Sequence, residues 1–305
     1  MNKEYALDQI PVAGKMKPEE LFSILKEIGD PAILTQDMSS KGLDDEQKDF
    51  FLKNPFRTRA WEHTAHSFGY LKPSDDAVES MEISHAGNIK ADEELKNKRI
   101  KITLDRLRVA DYPGSGTHLV LFDFYAQNQV PEATEHLHFN STYRVREGEQ
   151  AGVIGFPIFI GLNVGSEGVA FRCYTVNVKN DADEKFLSFL DSDVFKSGLE
   201  LGVKLQPAIG PLSKMALGIT ESIAKRNRNV PVQNFFMGLD FSKIATRARL
   251  REGSYIAVQI PESMVSVWDW EEWIFNNSNG QIVNKQNPTQ LIPYNYVIFS
   301  ISKSL

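Results

Sequence analysis

Residues 99–129, RIKITLDRLRVADYPGSGTHLVLFDFYAQNQ, decide the fold. Ile100, Ile102 and Leu104 alternate with polar neighbours, the two-residue period of a strand that buries one face. Pro113, Gly114, Ser115 and Gly116 then break the run with turn chemistry. Beyond the turn, Leu119, Leu121 and Asp123 fall on one side and Val120, Phe122 and Phe124 on the other. A strand apolar on both faces belongs in the middle of a layered structure, because neither face can be left to water.

Most of the chain towards the C-terminus repeats this style. Strands are expected over 137–145, 152–162, 169–178, 234–241, 254–260, 265–275 and 294–302, and the Asn279-Gly280 pair between WEEWIF and QIV signals a hairpin. Short strands separated by turn residues favour packed antiparallel sheets over a parallel sheet. The expected fold is therefore mainly β, α+β overall: an antiparallel β-sandwich over residues 99–305. A helical insertion interrupts it at about 183–228, with short helices over 184–190 and 193–201 and a longer one over 211–226. In the longer helix Leu212, Met215, Ala216, Ile219 and Ile223 form a stripe suited to docking on the sandwich.

Towards the N-terminus the period changes to that of a helix. Pro18, Glu19 and Glu20 open one, Leu21, Ile24, Leu25 and Ile28 line its apolar face, and Gly29, Asp30 and Pro31 end it. A second helix is expected from Asp44, which has capping-box spacing to Gln47, and a third over 58–71 with Trp61, Ala65 and Phe68 on one face. Residues 72–98 are polar and acidic and read as a linker. A boundary is therefore placed at Lys98, separating an N-terminal helical region with its acidic linker, 1–98, from the sandwich domain.

A net charge of −6 argues against a nucleic-acid binder that works by general electrostatics, since neutralising phosphates needs a basic surface. The single cysteine, Cys173, excludes an intrachain disulfide and sits among apolar neighbours as a buried, unreactive thiol. No apolar run is long enough for a signal peptide or a membrane-spanning helix, so the expected location is the cytoplasm, although export without a cleavable signal would look the same.

Asp181, Asp183 and Glu184 follow an expected strand, Asp191 and Asp193 come soon after, and Asp105 and Asp111 border the first strand and its loop. Ca²⁺ takes roughly six to eight oxygens, mostly from carboxylates on flexible loops. This arrangement, over residues 99–193, resembles the calcium-dependent phospholipid-binding β-sandwich domains of protein kinase C and synaptotagmin. In that family an Asp-bearing loop and a later Asp-x-Asp loop bring acids together at one rim. The resemblance implies that Asp111, Asp181 and Asp183 ligate Ca²⁺ and that the rim meets lipid headgroups. The competing reading is solvated loop acids and helix caps.

Eleven of the thirteen arginines fall in alternating sets, among them Arg247, Arg249 and Arg251. On a strand these three share a face and offer planar donor forks to a phosphate, a carboxylate or an anionic surface, unless neighbouring acids neutralise them. His136 and His138 alternate likewise, with His118 as the third candidate for a Zn²⁺ site able to activate water. Neither a Gly-x-Ser-x-Gly elbow nor a dinucleotide- or phosphate-binding glycine loop occurs. Trp268, Trp270 and Trp273 place three of the four tryptophans within six residues, where indoles offer a sugar-stacking platform, a protein hot spot or an interfacial anchor.

The expectation is a non-enzymatic binding or assembly protein without a cofactor. It would engage an anionic ligand or a protein partner through the Arg247, Arg249 and Arg251 face and the Trp268, Trp270 and Trp273 ribbon. The alternatives are a Ca²⁺-dependent membrane-targeting module at the acidic rim and a metal-dependent hydrolase at the histidines.

Overall fold

The computed structural model describes residues 7–31, 59–73, 78–130, 133–191, 198–201, 209–242 and 248–304. Among these the strands form three sheets. The largest runs, edge to edge, Ser84–His85 (β3), Ala65–Leu71 (β1), Gly253–Ile260 (β12), Tyr296–Lys303 (β15), Arg99–Arg108 (β4), Phe156–Asn163 (β7) and Leu199–Glu200 (β9). The second runs Ala248–Arg249 (β11), Val230–Asp240 (β10), Gly168–Val178 (β8), Thr117–Val130 (β5) and Ala133–Arg146 (β6). The third consists of Gln281–Asn284 (β14), Trp273–Asn276 (β13) and Ser80–Glu82 (β2). Neighbouring strands are antiparallel except β7 with β9 and β10 with β11.

The two larger sheets share one core, as expected for a sandwich. Ile100, Ile102 and Leu104 of β4 point into it, as do Val120, Phe122, Phe124 and Ala126 of β5. Phe124 meets Phe171 of β8 at 5.7 Å and Phe299 of β15 at 5.4 Å, so aromatic edges and faces lock one sheet onto the other. A bulge at Asp105 resets the alternation of β4, and Leu107 and Val109 bury instead. The mainly β, α+β character read from the alternation is the observed one.

Two further layers cover the outer faces. Pro18–Glu27 (α1) buries Leu21, Phe22 and Leu25 against the common core. Asp181–Leu187 (α2) and Ile209–Ala224 (α3) lie on the five-stranded sheet, where Leu187, Ile219 and Ile223 pack on Leu121, Tyr174 and Val176. This is why β5 is apolar on both faces. On the far side the three-stranded sheet and the turn before β13 pack Trp273 and Ile282, and Trp270, onto Ile256, Val258 and Ile298. The Asn279-Gly280 hairpin is present as β13–β14, with Gly280 at φ 68°.

Other expectations are corrected. Residues 65–71, read as helix from Trp61, Ala65 and Phe68, form β1 and pair with β12. Phe68 and Tyr70 face the common core while Ala65 and Leu71 face the three-stranded sheet. Pairing with a strand nearly two hundred residues away overrides the local period. The stretch read as a linker contributes β2, β3 and the buried Ile83, Ala86 and Leu95, so no break in packing marks Lys98. Of the expected strand at 265–275 only β13 forms, preceded by turns. Within 193–201, residues 199–200 form β9 rather than helix. The helix expected from Asp44 lies outside the described residues, as does Asp193. No described helix is long and apolar enough to cross a membrane.

Candidate functional site

At the end of the sandwich where β4 turns into β5, Arg59 sits between two carboxylates. Its Nε and Nη2 donate to the two oxygens of Asp111 at 2.7 and 2.6 Å, and Nη1 donates to Asp30 at 3.0 Å. The other Asp30 oxygen accepts the Gly114 N–H at 2.6 Å. Burial works against the guanidinium charge, but Asp111 and then Asp30 outweigh it and push the Arg59 pKa up. Glu147 at the edge of this group is raised, first by burial and then by the charge of Asp111.

The three acids proposed as Ca²⁺ ligands are not assembled. Asp111 faces Arg59. Asp183 is buried and held by Arg226 and by Asn229 Nδ2 at 2.6 Å, whereas Asp181 is exposed in the first turn of α2. Among the described residues no group of three His, Cys, Asp or Glu side chains is placed to hold a metal. The arginines that take these carboxylates come from distant segments, which sequence spacing does not display.

The histidine trio is also separated. His118 points into the core beside Tyr112, and burial pushes its pKa down to about 4. His136 and His138 share the outer face, as their alternation requires. In the β5–β6 register His138 lies opposite Tyr125, seven residues along from His118, or roughly 23 Å. His138 Nδ1 pairs with Asp123 at 2.9 Å, and the other Asp123 oxygen accepts Thr220 Oγ1–H at 2.8 Å. Ser213 Oγ accepts the His138 N–H at 2.7 Å, and Asn140 Nδ2 donates to Ala216 O at 2.8 Å. His136 Nδ1 bonds the Tyr125 hydroxyl. The pair is thus engaged in a buried network that seats α3. Its signal in sequence was available: Asp123 interrupts an apolar face, and Ser213 and Thr220 lie two turns apart on the facing helix.

The described arginines of the expected face, Arg249 and Arg251, do not share an open strand face. Arg247 lies outside the described residues, and β11 ends at Arg249, whose Nη1 is buried 3.6 Å from Asp240. Arg251 is exposed and donates to Lys90 O at 3.3 Å. Between them the chain turns around Tyr255, whose hydroxyl donates to Arg249 O at 2.7 Å and accepts the Arg251 N–H at 2.9 Å. Elsewhere guanidiniums tie segments together: Arg108 reaches Gly148 O at 2.7 Å, and Arg172 bridges Asn234 and Asp8 at 2.9 and 2.6 Å. Cys173 is buried, and burial raises its thiol pKa well above the usual value.

The tryptophans do meet in one place, a cleft of about 610 Å³ between β2–β3 and the turns before β13. Trp270 is 3% and Trp273 8% exposed, so the three do not make the surface ribbon expected of a strand. They form a floor instead. Gly69 of β1 admits the Trp270 ring; a Cβ there would lie 3.1 Å from the indole and 2.7 Å from Ile83. Trp268, half-buried, lies parallel to Trp273 at 6.2 Å and edge-on to Trp270 at 5.5 Å and Tyr294 at 5.7 Å. Among the described residues the Nε1–H groups of Trp268 and Trp270 meet no acceptor.

Around this floor stand Glu82, Asp269, Glu271 and Lys285. Asp269 caps its turn by accepting the Glu271 N–H at 2.8 Å. Lys285 Nζ lies 2.9 Å from Glu82, which raises the lysine pKa and lowers that of the glutamate. His85 Nδ1 accepts the Gly87 N–H at 3.0 Å, an arrangement of the neutral ring. Set against known protein families, curated proteins and solved structures, the chain matches none.

Proposed function

We propose that this chain is a binding module rather than a catalyst, and that its ligand occupies the tryptophan cleft. The observation that carries the reading is the cleft itself: about 610 Å³ floored by three indoles and ringed by charged side chains. Ligand sites are commonly concavities of roughly 300–1,000 Å³. This one has that size, with polar groups making up most of its open wall and the indoles its floor. Indoles bring large rigid contact area at low entropic cost, which is why they anchor recognition. The histidines support binding over catalysis, since His118 is enclosed in the core and His138 is committed to Asp123 beneath α3. The anionic partner expected at the arginines finds no matching surface at Arg249 and Arg251, so the tryptophans alone are retained.

The four indole N–H signals in a nitrogen-15 NMR spectrum test this reading. Titration with a panel containing choline, glucose, N-acetylglucosamine and citrate should move the signals of Trp268, Trp270 and Trp273. Trp61, fully buried in the common core, should stay still. Trp268→Ala should abolish the shifts of the other two. Shifts confined to residues around Arg249 and Arg251, with the indoles unmoved, would overturn the assignment of the site.

A further inference from the structure

The charge of the cleft selects among ligands. Three carboxylates, Glu82, Asp269 and Glu271, line the cleft with one ammonium, Lys285, which pairs with Glu82 and acts more weakly on Glu271. Lys72 adds a second positive charge near Glu82, so the balance is negative around Asp269 and Glu271. Asp269 and Glu271 therefore leave a negative field over the indoles, one that repels anions and draws in cations. The face of an indole adds to this attraction, because its quadrupole is negative and tryptophan is the best aromatic partner for a cation. A primary ammonium gives up strong hydration on entering such a space. An ammonium whose hydrogens are replaced by methyl groups gives up less and fills more of the apolar floor.

Resting on the reading that this cleft is the ligand site, we propose that it binds a methylated ammonium cation of the choline type. The cation sits against Trp268, the half-buried indole that Trp273 backs, with Glu271 and Asp269 as counter-charges. Such a group reaches the cleft either free in solution or as a lipid headgroup. The loop leading into Trp268 exposes Val265 at 54% and Val267 at 64%, apolar side chains that would meet the lipid in the second case.

The test is calorimetric titration of the full chain with choline and with 3,3-dimethylbutan-1-ol, which has the same shape without the charge. Choline should bind at least tenfold more tightly. Glu271→Gln, a substitution at an exposed side chain, should weaken choline at least threefold and leave the neutral compound unchanged. Equal affinities, or choline binding indifferent to Glu271→Gln, overturn the cation while leaving the cleft a binding site. So does a neutral sugar that moves the three indole signals when choline does not. Indoles that respond to no compound overturn the site and the cation together. Vesicles separate the sources: capture by phosphatidylcholine vesicles, competed by free choline, assigns a headgroup, and choline binding without vesicle capture assigns the free cation. Capture by phosphatidylglycerol vesicles in preference to phosphatidylcholine overturns the inference.

Discussion

Arg59 shows how much of this molecule hangs on single side chains. It neutralises Asp30, which is 0% exposed, and holds Asp111 in the loop between β4 and β5. Arg59→Met would take from the buried Asp30 carboxylate the guanidinium it shares with Asp111, while Lys179 acts on it more weakly. Removing one partner of a buried pair costs up to about 3–5 kcal/mol. Urea unfolding should show that loss. Adding Asp30→Asn to the same chain should restore much of it, because the amide oxygen still accepts the Gly114 N–H and nothing charged remains buried. If Arg59→Met were as stable as the parent, the Asp30 pair would not be what secures this rim. Asp111 is legible in the sequence as an acid of this loop, but Asp30 reads there only as the end of α1, and the cation between them is not legible. Arg59 is 52 positions from Asp111, and nothing in local spacing reports such a pairing.

At the scale of elements, α3 is held by two kinds of contact whose costs separate them. Ile223 is fully buried against the outer face of β5 and β8, so Ile223→Ala should cost about 2–5 kcal/mol. Thr220→Val keeps the shape but deprives Asp123 of a donor, an unmet buried acceptor worth about 1–3 kcal/mol. Both losses are measurable by urea unfolding, and a Thr220→Val chain no less stable than its parent would show that the hydroxyl is not needed. The apolar half of this contact was legible, since the stripe of α3 and the doubly apolar β5 each require a partner. Its polar half left a fainter trace, Asp123 interrupting an apolar face, whose partners His138, Ser213 and Thr220 are recognised only when β5, β6 and α3 are stacked. The first half of β4, where Ile100, Ile102 and Leu104 alternate, and the continuous apolar runs of β8 and β12 were readable for the same reason. Residues 65–71 and 265–272 were not, since Trp61, Ala65 and Phe68 imitate a helical stripe and the tryptophan run imitates a strand.

Across the whole molecule, four layers put neutral histidines in places that water does not reach, and this ties stability to pH. Burial lowers the pKa of both His63 and His118 from the ordinary 6.5 to about 4, with the positive charges of Lys179 and Arg59 adding to the effect at His118. Both side chains are buried within the layers, His63 edge-on to Tyr294 and His118 beside Tyr112. The unfolded chain takes up protons below about pH 6.5 that the folded chain refuses until about pH 4. Stability is therefore full above that range, falls as the pH drops through it, and levels off for these groups below it. Each histidine contributes on the order of 3 kcal/mol across the window. His66, lowered to about 3 chiefly by burial, loses stability in the same direction. Urea midpoints measured from pH 7.5 to 4 should therefore fall steeply, and His118→Phe, which fills the site without titrating, should flatten the slope by roughly a third. A midpoint constant over that range would mean that both rings take up protons in the folded chain as readily as in water, and hence that neither is sealed between the layers.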